Sequence, residues 1–221
     1  MRIGIDLRCL MDGKRTGVEE YTLGILDAMI RAASEDTFVL FANSRKPMRL
    51  PSFSGPNVAF RTFRYPNKLF NLSLKVAHRP ALDTLAGGVD VFFVPSIRLA
   101  PLRTTCPLVL TVHDLSFVRH PQFFSFERRM WHTFMEPKVL AQRAASVIAV
   151  SEATAQDVAA LYGVSPSRIA VIRSGIPEFM QRASQEGGAP QIGVQMSGDT
   201  APESARLRSR SAAAPASSFL P

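Results

Sequence analysis

His113 and Asp114 are the residues of this chain whose types and position best suit chemistry. An imidazole beside a carboxylate can hold, give or take a proton near neutral pH. The pair sits in PLVLTVHDLSF, directly after the apolar run Leu108–Val112. Such a run suits a strand buried on both faces of a sheet. In open α/β sheets, ligands collect just outside the carboxyl ends of the strands. A plainer role is equally open to the same residues: a histidine that caps or bonds a neighbouring loop. A second candidate is Thr16-Gly17, which closes a polar loop and opens a helix. Strand, glycine turn and helix together aim free backbone N–H groups at a phosphate. One glycine falls short of a full phosphate-binding fingerprint, and Gly17 also fits an ordinary turn. Glu19 and Glu20 suit the helix dipole but would repel a phosphate that they faced. Ser151, followed by Glu152, reads as the N-cap of another helix.

These residues need a frame, and strands alternating with helices supply it. Ile3–Leu7 reads as the first strand. The helix after Gly17 is expected to bury Val18, Tyr21, Ile25 and Met29, which recur at spacings of three or four. Thr37–Ala42 and Val58–Phe63 follow as strands, separated by a Pro-rich, basic loop. A helix is expected over Lys68–Leu85 with Leu69, Leu72, Val76 and Leu82 inward, kinked or split at Pro80. Lys68, Lys75 and Arg79 would share its outer face and could rest on an anionic membrane, although an ordinary solvated face is the simpler account. Val89–Val94 is a fourth strand and Leu108–Val112 the fifth. A helix over Phe123–Met135 carries apolar residues on two faces: Phe123, Met130 and Phe134 on one, Phe124, Trp131 and Met135 on the other. The second face needs a cover of its own. Pro137 starts a further segment. Ser146–Val150 is a strand, Ser151 caps a helix through Tyr162, Gly163 ends it, and Arg168–Ile172 is the last strand. The expected fold is a parallel sheet wrapped by helices on both faces.

Composition narrows the class. The chain has 221 residues and 46% hydrophobic residues, ample for a packed core. It contains no apolar run long enough to span a membrane, and its N-terminus meets charge too soon for a signal peptide. Cys9 and Cys106 lack paired-motif spacing, which argues against a disulfide framework or a zinc site and for free thiols in a reducing cytoplasm. A net charge of +8 favours anionic partners. Its basic residues are dispersed rather than blocked, so nucleic acid is not an expected partner. From Gln181 on, more than half of the positions are Ala, Ser, Gly or Pro. A segment of this kind cannot offset its chain entropy by burial and is expected to be disordered.

RIGIDLR, RTGVEEYT, DVFFVPS, PLVLTVHDLSF, ASVIAVSEATAQDV and RIAVIRSGI occur in that order and spacing. Together they resemble the N-terminal half of a family-4 glycosyltransferase of the GT-B fold, over residues 1–178. The remaining residues, 179–221, form a low-complexity tail. The resemblance implies a Rossmann-like domain that holds the acceptor, facing across a cleft a second domain that holds most of a nucleotide diphosphate sugar. Sugar transfer would proceed with retention of configuration and without an essential metal or other cofactor. By resemblance, Thr16 and Gly17 lie on the loop that approaches the donor diphosphate. His113 matches the histidine that reaches the transferred sugar, and Asp114 beside it orients the loop. Ser151 and Glu152 match the start of a cleft-side helix, where a simple cap remains an alternative. The family often has two adjacent glycines where this chain has Thr16-Gly17, so the loop should be stiffer. The basic clamp on the diphosphate and the glutamate pair that grips the donor are missing. The implied enzyme is therefore truncated, by a frameshift or early stop in one account, and weak or inactive alone. A saccharide or glycolipid acceptor, a cytoplasmic location and peripheral contact with the inner membrane face complete these expectations. A non-catalytic module binding a glycolipid, a membrane or a partner protein is the competing reading.

Overall fold

Short runs of β-branched and aromatic residues build the frame, because such side chains fill a pleated surface covered on both sides. A computed structural model describes residues 1–12, 16–45, 53 and 55–175. The strands are β1 (Arg2–Asp6), β2 (Thr37–Asn43), β3 (Val58–Phe63), β4 (Val91–Val94), β5 (Leu108–Val112), β6 (Ser146–Ala149) and β7 (Ile169–Val171). They form one parallel sheet in the order β3-β2-β1-β4-β5-β6-β7. The chain order reverses direction between β1 and β4, which makes that junction the topological switch point of the sheet. The fold is thus an α/β, Rossmann-like arrangement, with strand bounds within two residues of those read from sequence. The loop residues Lys14 and Arg15 and the tail 179–221 lie outside the described residues.

Successive strand residues send side chains to opposite faces, and the core divides accordingly. On one face, Ile3, Ile5, Phe38, Leu40 and Phe93 pack under α1 (Gly17–Ala32) through Leu26 and Ile30. On the other, Val39, Phe41, Phe92, Leu110 and Val112 pack under α2 (Asn67–Val76), α3 (Leu82–Leu85), α6 (Pro137–Arg143) and α7 (Glu152–Tyr162). Gly4 is required by this second face. A Cβ there would stand 2.6 Å from the Phe92 ring.

Two helices bury a different face from the one their apolar spacing suggests. In α1 the buried line is Glu19, Thr22, Leu26 and Ile30, one position on from Val18, Tyr21, Ile25 and Met29. Two polar residues can enter that line because each finds a local partner. Thr22 Oγ1 donates to Val18 O at 2.7 Å, and the Glu19 carboxylate turns back to Thr16. In α2 the inward residues are Phe70 and Leu74, whereas Leu69 and Val76 are 65% and 72% exposed and Leu72 also faces outward. Phe70 wins the inner position because its ring stacks on Phe41 and Tyr65. Lys75 also departs from the expected free face. It pairs with Glu136 at 2.7 Å and lies over the Phe134 ring. The helix expected over 68–85 is split into α2 and α3, with Pro80 in the break.

The segment after β5 begins earlier than its periodicity indicates. A short helix, α4 (Ser116–Arg119), and a turn at Pro121–Phe123 precede α5, which spans only Phe126–Met135. Ser125 caps α5, its hydroxyl accepting from Arg128 N. Glu136 takes a left-handed conformation that ends α5, and Pro137 opens α6 at once.

Candidate functional site

The carboxyl ends of β1, β4 and β5 open into a cleft of about 450 Å³ at the switch point. Cys9, Thr16, Val18 and Glu19 form one wall; Ser96, Ile97 and Arg98 follow β4; His113 and Asp114 follow β5. Phe117, Phe124, Arg128, Trp131 and His132 form the opposite wall. A fold of this kind places its ligand sites at such a crevice.

His113 is held on three sides. Its Nε2 lies 2.9 Å from Pro95 O, and since a carbonyl only accepts, Nε2 carries the proton. Tyr21 meets the ring edge-on with centroids 4.8 Å apart. The backbone carbonyl of His113 accepts from Thr154 Oγ1 at 3.2 Å. Burial pulls the imidazole below its ordinary pKa, against the Pro95 carbonyl and the Asp114 carboxylate, which favour the charged ring. The neutral ring then has an unprotonated Nδ1 able to accept a bond. Asp114 itself receives Ser116 N at 2.9 Å and the Ser116 hydroxyl, and so fixes the turn into α4.

Beneath the other wall lies a buried ion pair. Arg8 and Asp6 are 5% and 1% exposed, and the guanidinium grips the carboxylate through Nε at 2.9 Å and Nη2 at 2.6 Å. Arg8 Nη2 also donates to Leu99 O at 2.7 Å, tying the end of β1 to the loop after β4. Bidentate geometry and further hydrogen bonds are what allow such a pair to be buried.

At the N-terminus of α1, Thr16 N donates to Glu19 Oε2 at 2.7 Å, and the Thr16 hydroxyl donates to the same oxygen. This is the reach-back half of a capping box. Glu19 therefore faces the cleft and occupies an N–H that a bound anion would use. Gly17 is sterically free, since a Cβ there would meet nothing within 4 Å. No internal contact demands glycine at this position.

The structure brings Thr16, His113 and Asp114 to one cleft, with Gly17 next to Thr16. Ser151 and Glu152 do not line it. Ser151 Oγ accepts from Thr154 N at 3.1 Å, and Thr154 in turn holds the His113 carbonyl. Glu152 is exposed, 3.9 Å from Arg173. Sequence reasoning missed Arg98, Arg128 and His132 as cleft residues. Arg98 was traceable, because it follows the β4 strand on the side where ligands gather. Trp131 and Phe124 were seen as a face needing cover, and the cleft is what they face, while Met135 of that same set lies in the core. Among the described residues, no group of three His, Cys, Asp or Glu is placed to hold a metal ion, and no helix is long and apolar enough to cross a membrane.

The family model described as Glycosyltransferase Family 4 matches residues 15–178. None of the curated proteins compared with the chain matches it. Among solved structures, an alpha-glucosyltransferase in complex with UDP and a 13-mer DNA containing an HMU base is similar at 14% identity and a TM-score of 0.46, over 83% of this chain and 45% of its own. A UGT transferase from Siraitia grosvenorii in complex with UDP is similar at 10% identity and a TM-score of 0.45, over 83% of this chain and 54% of its own. The chain spans about half the length of these two structures.

Proposed function

The chain belongs to Glycosyltransferase Family 4, and from that premise we propose that it forms the acceptor-side half of a retaining enzyme. That enzyme would move a sugar from a nucleotide diphosphate sugar to a saccharide or glycolipid acceptor. The observation that carries this reading is the convergence of His113 and the α1 N-terminus on one cleft at the β1/β4 switch point.

In this reading the N–H groups at Thr16 and Gly17 face the donor diphosphate once Glu19 releases Thr16. Arg98 and Arg128 add positive charge near the leaving group, the kind of preorganised stabilisation that lowers such a barrier. His113 meets a hydroxyl of the transferred sugar, its ring fixed by Pro95 and its backbone by Thr154. Asp114 positions the turn that follows. The strongest grip on the donor comes from a second Rossmann-like domain, supplied by a longer polypeptide or in trans. Alone, residues 1–178 then bind donor weakly and turn over little. A cytoplasmic location suits the two free, buried thiols.

The test pairs the chain with the donor-side domain of a family member and measures transfer from UDP-glucose and related donors. Transfer should appear only in the pair, and His113→Ala should lower it by about a hundredfold or more. Absence of transfer in every pairing, or full activity in His113→Ala, would count against the proposal.

A second reading, a non-catalytic module resting on an anionic membrane, draws support from α2. Leu69, Leu72 and Val76 are exposed there, flanked by Lys68 and Arg79. Sedimentation with phosphatidylglycerol vesicles, reduced by the double variant Lys68→Glu, Arg79→Glu, would favour it; no sedimentation removes it.

A further inference from the structure

Tyr21 belongs to the apolar spacing of α1 but not to its buried line, which runs through Glu19, Thr22, Leu26 and Ile30. It is half-buried, and its side chain reaches β5 instead. Alternate residues of a strand share a face. Val109, Thr111 and His113 therefore fall on one side of the sheet, and Val109 packs in the core beneath α1. Tyr21 meets the other two. Its hydroxyl and Thr111 Oγ1 share a hydrogen bond at 3.2 Å. Its ring stands at 90° to the His113 imidazole, with centroids 4.8 Å apart.

Thr111 is fully buried and interrupts an otherwise apolar run, Leu108–Val112. A valine would fill that space and need no partner. Two buried hydroxyls bonded to each other gain little net stability over an apolar pair of the same shape. What the bond adds is direction, because it stops the Tyr21 ring at one place on β5. The ring so held closes one side of the His113 imidazole, whose Nε2 already donates to Pro95 O at 2.9 Å. The hydrogen bond places one ring nitrogen, and the perpendicular ring limits rotation about that contact. We propose that Tyr21, tethered to Thr111, is a positioning residue that holds the His113 imidazole against Pro95 at the cleft. Tyr21 is not among the residues that line the cleft, so it acts on a ligand through His113. It lies four residues beyond Gly17 on the same helix, and so it also sets the spacing between the α1 N-terminus and His113. The consequence for sugar transfer rests on the transferase reading; the orientation of the ring does not.

The test is long-range proton–nitrogen NMR of the histidine rings in the full chain at about pH 8, where a free imidazole is neutral. His113→Ala identifies the signals. Wild-type His113 should show the well-separated nitrogen shifts of a ring protonated at Nε2. In Tyr21→Leu those shifts should converge toward the averaged values of a free imidazole. Tyr21→Phe and Thr111→Val keep the bulk and cut the tether, so each should give the same smaller convergence. The double variant should give no more than either alone. A role in packing alone would lower the melting temperature and leave the shifts in place. In the chain paired with a donor-side domain, Tyr21→Leu should lower kcat about tenfold and change KM by less than about twofold. The proposal is overturned if His113 keeps its wild-type shifts in Tyr21→Leu or in both tether variants. An unchanged kcat in a pair that transfers sugar also overturns it. Shifts that move as expected while no pairing transfers sugar would count against the transferase reading and leave the positioning of His113 standing.

Discussion

The two walls of the cleft are built on opposite principles. On the β1–α1 wall the described charged and hydroxyl groups that could meet a ligand already have internal partners. Asp6 and Arg8 close on each other, Glu19 closes on Thr16, and Thr22 closes on Val18 with Cys9 Sγ 3.5 Å away. On the α4–α5 wall aromatic surface lies open instead: Trp131 is 42% exposed, and Phe126 and Met130 of the same helix face solvent beside the cleft. The closed wall must give up a bond before it takes an anion. The open wall offers aromatic and polar surface at no such cost. On the proposed reading, one cleft combines a wall where an anion must displace Glu19 with an aromatic wall that carries Arg128.

The heaviest blow to this contrast falls on the closed wall. Arg8→Ala leaves the Asp6 carboxylate buried and unpaired, and should cost about 3–5 kcal/mol of stability in urea unfolding. A loss near zero would mean that the pair does not hold the wall. Glu19→Gln tests the cap directly. It weakens a charge-assisted bond to Thr16 and should cost on the order of 1 kcal/mol, yet UDP should bind several-fold more tightly once the competing charge is gone. Weaker UDP binding in that variant would break the idea that Glu19 guards the helix terminus.

Acidification perturbs both walls more gently. His113 faces Pro95 O, Tyr21 and Asp114, and His132 lies in the fields of Asp114 and Arg128. Both imidazoles are held below the ordinary histidine value of about 6.5 by burial. Between that value and their lower folded values, the unfolded chain binds more protons than the folded one. Stability is therefore full above about pH 6.5 and falls as the pH drops below it. A melting curve flat from pH 8 to 5 would contradict this, and His132→Phe should shallow the slope. The smallest effect belongs to the open wall. Phe126→Ser removes an exposed ring and should change stability by no more than about 0.5 kcal/mol. A larger loss would show that α5 is packed after all.

Much of the frame was legible because a parallel sheet writes itself in short apolar runs. Val58–Phe63 and Leu108–Val112 carry no competing period, and their bounds match. The caps at Ser151 and Gly163 were legible for the same local reason: one hydroxyl and one left-handed glycine suffice to make each. The phases of α1 and α2 were not, since both helices are apolar on more than one side. Glu19 and Thr22 are buried through bonds to residues three and four positions away, which an apolar count treats as exposed. Phe70 is drawn inward by Phe41 and Tyr65, which approach from β2 and from beyond β3.

The sequence by itself determined the alternation of strands and helices, and with it the position of His113, Asp114 and Thr16 at strand and helix ends. These depend on near-neighbour chemistry that the chain carries locally. Tertiary structure alone decided which of those ends meet. It tied Arg8 to Leu99 and brought Arg98, Arg128 and Trp131 to the cleft. Such juxtapositions are set by the order and twist of the sheet and by the competition of bulky rings for one interior. No stretch of sequence encodes those quantities within its own span.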